Sequence, residues 1–515
     1  MHSWPRVAVQ SRLVHALPLL VLLAALWWSD TGSAWAHALL VHSDPSPDII
    51  LPAAPQNIHL QFSEDLNASA SQIIVWDRHR RDLATGHASL VPGMPRRLTV
   101  GLKPLPPGTY LVLWTSVSAE DGHVLRGSYL FFVKQRGPGP SLVGVSQGPP
   151  TQGFTDALGI ASLFAHWVEL FAAVTWMGAA AVSTWVFALS TAADAGTIDQ
   201  ERTRLRAFLR VTIVGLIVSS CLVVLLQAHA LAGTWNDALS TSTLSSIFAG
   251  QFGHLWLVRQ AVAVVALVAT AAIALPRPGM SPARSLAAAA IRHRPPGGTV
   301  LCCLLGLLYL ALFAASGHAA GSDIGSIFGS RIVSGAVGAD WLHFVGDGFW
   351  FGGQTYIALN IIPVLRLRRR PAPVITGFMD VLNRFSPWAY GSIALFVFSG
   401  VFAAKIHISS WYAFFHSVYG WALVVKIGLI GCMMLVSAFT VYIVRPHIRS
   451  TLDESSGAGL HTVWVEHLVR WLKVNPVLGA GALLASSVMF SYPVPEGLSP
   501  AGPPAYIIHL ESVTG

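Results

Sequence analysis

Eight apolar segments dominate the chain beyond residue 156, and each is close to or above the roughly 20 residues that a helix needs to cross a bilayer. Only 11% of the residues are charged, against about 25% in soluble domains. This pattern predicts an all-α polytopic membrane bundle of eight transmembrane helices over residues 157–492. The predicted spans are 157–189, 208–231, 252–275, 299–316, 339–363, 387–404, 418–444 and 475–492.

Basic residues are concentrated in every second loop, which orients the bundle. The loops after the second, fourth and sixth spans, together with the tail 493–515, contain only two basic residues, Arg331 and Lys405. The positive-inside rule therefore places these loops, the tail and the N-terminal region outside. The net charge of +8 is then a topology signal, and no nucleic-acid partner is expected. The other loops contain Arg202, Arg204, Arg206, Arg210, Arg277, Arg284, Arg292, Arg294, Arg366, Arg368, Arg369, Arg370, Arg384, Arg445, Arg449, Arg470 and Lys473.

The first 36 residues have the parts of a secretory signal peptide. Arg6 and Arg12 precede an apolar run, and Ala34-Trp35-Ala36 supplies a small-x-small cleavage pattern. Cleavage after Ala36 would make His37 the mature N-terminus, whereas an uncleaved anchor helix is the alternative. We expect a multi-pass membrane protein with its N-terminal domain and its tail on the outer side of the membrane.

Residues 37–135 have a different texture from the rest of the chain. Alternating runs such as 57–62 and 109–117, separated by Gly and Pro turns, predict a small antiparallel β-sandwich of the immunoglobulin-like or cupredoxin-like kind. A stretch rich in Gly, Pro, Ser and Gln follows, and we interpret residues 136–156 as a flexible linker.

Short motifs recur within the membrane part. Residues 251–259 resemble residues 418–426, and the triplet 176–178 resembles 350–352. An offset of four spans preserves orientation, so the pattern predicts a parallel repeat of two four-helix halves. Chance similarity among apolar segments is the alternative.

A candidate metal site follows from three residues of the sandwich. A mature N-terminal His37 would offer an α-amine and an imidazole nitrogen to one metal ion. Asp121 and His123 are two positions apart, a spacing that points both to one face at a strand end. Nitrogen and oxygen ligands of this kind suit Cu(II). The alternative is a plain turn at Asp121-Gly122 with an exposed histidine.

The sandwich region resembles the periplasmic copper-binding protein CopC. The resemblance rests on His37-Ala38, 43–45, Pro55 with 60–64, 108–110, and 118–123 before 127–129. It implies Cu(II) ligands at His37, Asp121 and His123. Met94 is the only methionine of residues 37–135, and soft thioethers are what select Cu(I), so a Cu(II)-only sandwich is expected. His42, His59, His79 and His87 are expected to be surface residues.

Histidines of the membrane part gather toward the predicted outer face. His166 with Glu169 and His343 with Asp347 have helical spacings that place each pair on one face. Each pair could bind a cation, or its acid could hold the imidazole tautomer. The alternative is interfacial histidines with structural acids. The candidate copper path comprises His343, Asp347, His166, Glu169, His229, His254, His318, His407 and His416.

The membrane part resembles CopD, the inner-membrane partner of CopC. The resemblance rests on His343 with 350–353, on 384–386, on 399–400, and on 419–420 with Lys426. A CopC–CopD fusion implies copper uptake or copper tolerance, with copper ions and membrane lipid as partners and other periplasmic copper carriers as further candidates. It also implies a multi-pass protein of the bacterial inner membrane, with the N-terminal domain and the tail in the periplasm. The oxidation state of copper in the membrane is left open.

Three functions compete with copper uptake or relay. Bundle histidines could ligate a b-type haem or serve a copper-reducing electron-transfer protein. An N-terminal histidine with a second histidine could build a mono-copper oxidase, and a copper sensor or buffer would move no metal. We find neither a phosphate-binding GxxxxGK[ST] loop nor a Cys-Pro-Cys segment, so ATP-driven pumping is not expected, and an enzymatic activity is not predicted.

Overall fold

The structure is a computed structural model that describes residues 38–140, 157–192, 195–273, 297–317, 335–365, 372–407, 411–453 and 460–491. Its N-terminal part is a sandwich of two four-stranded sheets with strand orders β1-β3-β6-β5 and β2-β8-β7-β4. The strands are β1 (Leu40–Asp44), β2 (Ile50–Leu51), β3 (Asn57–Phe62), β4 (Gln72–Trp76), β5 (Ser89–Val91), β6 (Met94–Gly101), β7 (Gly108–Val117) and β8 (Val124–Val133).

All strand pairs but one are antiparallel, as the sequence predicts; the short β2 pairs with β8 in parallel. Alternation places Ile58, Leu60 and Phe62 of β3 on the inner face, where each is at most 1% exposed. The Phe62 ring meets Trp114 of β7 edge to face, with centroids 5.5 Å apart. This contact joins the two sheets across one core.

The long hairpin of β7 and β8 positions the predicted metal ligands. Ten residue pairs run in register from Gly108 opposite Val133 to Val117 opposite Val124. The connecting turn spans residues 118–123 and is closed by the Ser118 N–H donating to the His123 carbonyl at 3.0 Å. Gly122 has a φ of 72°, a conformation that glycine adopts without strain. The turn therefore projects from one end of the sandwich at a fixed place.

The carboxylate of Asp77 organises the turn that follows β4. It accepts from the backbone N–H groups of His79 and Arg81 and pairs with the Arg81 guanidinium at 2.7 Å. Burial alone would raise the pKa of Asp77, but these donors outweigh it and lower the pKa below 3.8. The charged carboxylate thus stabilises the sandwich above that pH.

We predict that Asp77→Asn lowers the free energy of unfolding of the isolated sandwich by about 1 kcal/mol at neutral pH. The loss should shrink as the pH falls below 3.8 and through the lower native pKa, because the wild-type carboxylate is then protonated. Thermal unfolding of both proteins across this pH range measures the effect. A difference that does not depend on pH would contradict it.

The second part of the chain is a helical bundle. Several of its helices continue through π-helical turns at residues 182–187, 348–352, 357–361 and 440–444. The α-helices are α1 (Ala157–Ala181), α2 (Ala195–Ala232), α3 (Trp235–Ala238), α4 (Thr241–Phe248), α5 (Gln251–Ala269), α6 (Gly297–Ala314), α7 (Gly335–Asp347), α8 (Gly353–Tyr356), α9 (Ile362–Leu365), α10 (Ala372–His407), α11 (Trp411–Phe415), α12 (Val418–Phe439), α13 (Arg445–Asp453) and α14 (Leu460–Ser491).

Seven helices within the described ranges are long and apolar enough to cross a membrane. They match the predicted spans except the fifth, 339–363, so eight spans are not established. Residues 335–365 are nevertheless helical throughout, in alternating α and π turns. The predicted boundaries of the signal peptide, linker and tail lie largely outside the described residues.

The two similar triplets of the predicted repeat meet at the centre of the bundle. A Cβ on Gly178 would overlap the backbone of Gly348 and Gly352, and a Cβ on Gly352 would overlap that of Val174. Glycine is needed here because two helices pass at backbone contact. Two halves that are related by an axis along the membrane normal would bring their equivalent segments into such contact. The duplication itself stays a prediction.

Candidate metal centre

Asp121 and His123 come together in the turn between β7 and β8. Nδ1 of His123 lies 2.8 Å from Oδ2 of Asp121, while Oδ1 accepts from the His123 backbone N–H at 2.9 Å. Both residues are at least nine-tenths buried. Two ligands at right angles on a first-row metal, each about 2.0 Å away, are about 2.8 Å apart. The two donor atoms therefore already have the separation of neighbouring metal ligands.

In the metal-free protein, the negative charge of Asp121 makes the His123 imidazole more basic. Burial alone would lower the pKa of the His123 imidazole, but the charge and the hydrogen bond of Asp121 outweigh burial and raise it. A metal ion must displace the proton that lies between the two side chains, so acid favours the metal-free form.

Two further carboxyls, which the sequence analysis did not single out as ligands, lie behind the pair. Ser118 Oγ is 2.8 Å from Glu64 and 3.0 Å from Glu120. A hydroxyl donates one proton, so one of the two carboxyls must be protonated to complete the other contact. Burial and the charges of Asp121 and Glu120 raise the pKa of Glu64, and burial, Asp65 and Asp121 raise that of Glu120 to about 7.

Hydrogen bonds hold the first described residues, Ala38 and Leu39, close to this turn. Ser116 Oγ donates to the Ala38 carbonyl at 2.8 Å, and the Leu39 N–H donates to Ser63 Oγ at 2.9 Å. Ala38 is 1% exposed. His37, the third predicted ligand, lies outside the described residues.

The turn that carries Asp121 and His123 rests on the bundle. The Phe252 N–H at the start of α5 donates to the Ala119 carbonyl at 3.0 Å, and Gln227 of α2 donates to the Asp121 carbonyl at 3.2 Å. Near these contacts, Asn67 donates to the Ser246 carbonyl at 2.8 Å. The sandwich thus docks on the bundle through the end that carries its candidate metal ligands.

A small cavity of about 30 Å³ lies at this junction. Asp121 and His123 line it from the sandwich, and His166 and Glu169 of α1 line it from the bundle. This volume has room for an ion or one or two water molecules. The two candidate centres predicted separately from the sequence therefore face one space.

Buried charged side chains line the bundle side of this junction cavity. Oε1 of Glu169 accepts from the Tyr309 hydroxyl at 2.8 Å and lies 3.3 Å from the Arg259 guanidinium. The Glu169 carboxylate is thus held by Arg259 and Tyr309 from two other helices, and a role of Glu169 toward His166 stays a prediction. Because Glu169 compensates the positive charge of Arg259, this pair adds no net charge that would repel a cation from the cavity.

Comparison with known proteins identifies the two parts. A family model of the CopC domain matches residues 40–134, one of the copper resistance protein D-like N-terminal domain matches 156–326, and one of copper resistance protein D matches 379–489. Copper resistance protein C of Escherichia coli is 36% identical over 121 residues, which are 22% of this chain and 94% of that protein. This chain belongs to the CopC–CopD fusion family of copper-resistance proteins.

A relative also spans both domains. Copper transport protein CutJ of Bacillus subtilis is 26% identical over 477 residues, which are 92% of this chain and 77% of that protein. CopC from Methylosinus trichosporium, known from a crystal structure, is 30% identical in sequence. The match covers 19% of this chain and 93% of that chain, with a TM-score of 0.18. The CopD domain and the seven apolar helices fit a multi-pass membrane protein.

A second, larger cavity of about 450 Å³ lies inside the helical bundle. His343 of α7 faces it, with Nδ1 3.0 Å from Ser399 Oγ and Nε2 3.2 Å from Lys426 Nζ. The partner that sets the His343 tautomer is therefore Ser399, where the sequence spacing suggested Asp347. Asp347 is buried four residues further along the same helix.

The remaining predicted histidines do not converge on either cavity as far as the structure describes them. His229 stacks on Trp235 at 4.2 Å, His416 stacks on Tyr412 at 4.0 Å, and His254 is exposed. His407 ends α10, but its side chain is not among those described. His318 lies outside the described residues.

Within the described ranges, no group of three or more His, Cys, Asp and Glu side chains is arranged to hold a metal ion. Asp121 and His123 are thus a two-residue half-site as far as the described chain goes. The sequence did contain a signal for Glu64, because it continues the inward alternation of Ile58, Leu60 and Phe62. An acid at an inward position is costly and therefore conspicuous.

Proposed function

We propose that the CopC domain captures Cu(II) in the periplasm through His37, Asp121 and His123, and delivers copper into the CopD domain for uptake across the inner membrane. One observation carries the proposal: the turn that holds Asp121 and His123 opens into the same junction cavity as His166 and Glu169. Copper released by the first pair would meet an imidazole of the bundle without entering bulk water.

The anchoring of Ala38 supports the assignment of His37. Consecutive Cα atoms are 3.8 Å apart, and Ala38 is held by Ser116, which is two residues before the turn at 118–123. After cleavage behind Ala36, the free amine and imidazole of His37 would be attached to this fixed point. They would add the nitrogen ligands that complete a tetragonal Cu(II) site with Asp121 and His123.

The chemistry of the described side chains favours Cu(II) over Cu(I) at this site. Its donors are imidazole and carboxylate, with the carboxyl groups of Glu64 and Glu120 behind them, and hard oxygen donors do not select Cu(I). Met94 belongs to β6 and is 48% exposed, and it does not line the junction cavity.

Copper uptake into right-side-out proteoliposomes tests the proposal. We expect His166→Ala to lower the initial rate of uptake by about tenfold or more while Cu(II) binding to the CopC domain is kept. His467→Ala is the matched control, because that histidine is exposed in α14 and lies apart from both cavities. Deletion of residues 37–135 should abolish uptake at low copper concentration.

The result separates uptake from the competing functions. No uptake by the wild-type protein would contradict the proposal and favour a sensor or buffer. Uptake that is unaffected by His166→Ala would remove the junction cavity from the path. A Soret band in the purified protein would favour the b-type haem function, and turnover of ascorbate and peroxide would favour an oxidase.

A further inference from the structure

A positively charged side chain of the protein, Lys426, lines the larger cavity of the helical bundle. The cavity lies among α7, α10, α12 and α14, and its walls are mostly apolar. At one place the ammonium of Lys426 is 3.2 Å from His343 Nε2 and 5.5 Å from the centre of the Phe396 ring. Because an ammonium only donates, Nε2 must accept from it.

The hydrogen bonds fix His343 as a metal-binding tautomer. With Nε2 as acceptor, the proton is on Nδ1 and is donated to Ser399 Oγ, whose own hydroxyl can donate to the Leu395 carbonyl at 2.8 Å. Ser399 is fully buried, so this support is shielded from water. Histidines that bind metals are commonly held in this manner, with one ring nitrogen donating and the other facing the metal.

Other donors of the cavity suit a soft monovalent ion. The thioethers of Met434 and Met489 line it, together with the Phe396 ring that stacks on His343 with centroids 4.0 Å apart. Met434 lies eight residues after Lys426 on α12, or about 12 Å along its axis, so it is too far from His343 to share an ion with it. Met489 of α14 is the thioether that we assign to the site. Imidazole and thioether together favour Cu(I), and an aromatic face attracts a cation.

The larger cavity also borders the junction cavity. Phe490 lines both. Phe313, which lines the junction cavity, contacts the rings of Phe344 and Phe490 at 5.5 and 6.0 Å. Three aromatic side chains are thus the wall between a space that faces the CopC ligands and a space that contains His343.

We propose that the larger cavity is a binding site for Cu(I), with His343 Nε2 as its nitrogen ligand and the thioether of Met489 as a soft donor. In the metal-free protein the ammonium of Lys426 occupies the place of the cation, and the incoming ion displaces it. This inference rests on the proposed copper function and adds the ion's charge, its ligands and an internal competitor. No electron transfer is part of it.

Binding of Ag(I), a monovalent mimic that is not reduced or oxidised here, tests the site in the full-length protein with His123→Ala to disable the CopC domain. Lys426→Leu should raise the Ag(I) affinity at least about tenfold, because a like charge is removed from the site and no thioether is added. Lys426→Gln should act in the same direction. The matched control is Lys473→Leu, at an exposed lysine of α14, which should leave the affinity unchanged.

Two further variants identify the ligands. His343→Ala combined with Lys426→Leu should lose the gain, and Met489→Leu, which conserves volume, should lower the affinity about tenfold. An unchanged affinity in Lys426→Leu and Lys426→Gln, or a gain that survives His343→Ala, would overturn the inference. So would equal affinity after Met489 is replaced.

Cu(II) binding with His123 intact reports separately on the proposed function. If that binding fails while Ag(I) follows the expected pattern, the CopC assignment is wrong and the inference about the larger cavity stands. If Cu(II) binds and Ag(I) does not respond to Lys426, the reverse holds.

Discussion

Replacing His123 by alanine is expected to lower the Cu(II) affinity of the full-length protein about 100-fold. The substitution removes one nitrogen donor and leaves Asp121 without the partner that lies 2.8 Å away. Loss of a group that only orients a metal ligand typically costs 10- to 100-fold in metal affinity, and His123 is itself a proposed ligand. Asp121→Asn should act in the same direction, because an amide keeps the shape of the side chain but loses its charge.

Competition titration of Cu(II) against a chelator of known affinity measures this effect. His87→Ala is the matched control, because His87 is an exposed histidine of the same sandwich, and its loss should leave the affinity within about twofold. If His123→Ala binds Cu(II) as tightly as the wild type, then the turn between β7 and β8 is not the copper site.

Removal of the buried arginine of the junction cavity is expected to have the largest effect on stability. Arg259→Met leaves the charge of Glu169 buried without its cation, and the two side chains are only 4% and 1% exposed. Breaking a buried ion pair on one side typically costs about 3–5 kcal/mol. The Tyr309 hydroxyl alone cannot neutralise the carboxylate that it contacts.

Thiol labelling during heating provides an internal probe, because Cys302 and Cys303 of α6 are free and buried. Arg259→Met should expose them to a maleimide reagent at a clearly lower temperature than in the wild type. The double variant Glu169→Gln with Arg259→Met should recover most of the loss, because no uncompensated charge remains. Equal labelling of the wild type and Arg259→Met would contradict a stabilising pair.

Local sequence patterns were sufficient for much of the architecture. The period-2 alternation of β3 and of the β7–β8 hairpin is set by one buried face per strand, so the sequence predicted the sandwich. Apolar length predicted the helices of the bundle. Asp121 and His123 are two residues apart in one turn, so their proximity was also a local property.

Contacts between distant residues could not be predicted in this way. Gln227 reaches the Asp121 carbonyl across 106 positions, Tyr309 reaches Glu169 across 140, and Lys426 reaches His343 across 83. Helical spacing predicted that each histidine and acid share one helix face, but it could not show that another helix supplies a close partner. The ion pair of Arg259 with Glu169 and the contact of Lys426 with His343 both lie beyond what local spacing can show.

Anomalous diffraction at the copper absorption edge, from crystals of the full-length protein grown with Cu(II), would locate the metal directly. We expect a copper peak at bonding distance from His123 and Asp121, on the side of the turn that faces His166. A peak remote from all three side chains would contradict a capture site that opens onto the membrane domain.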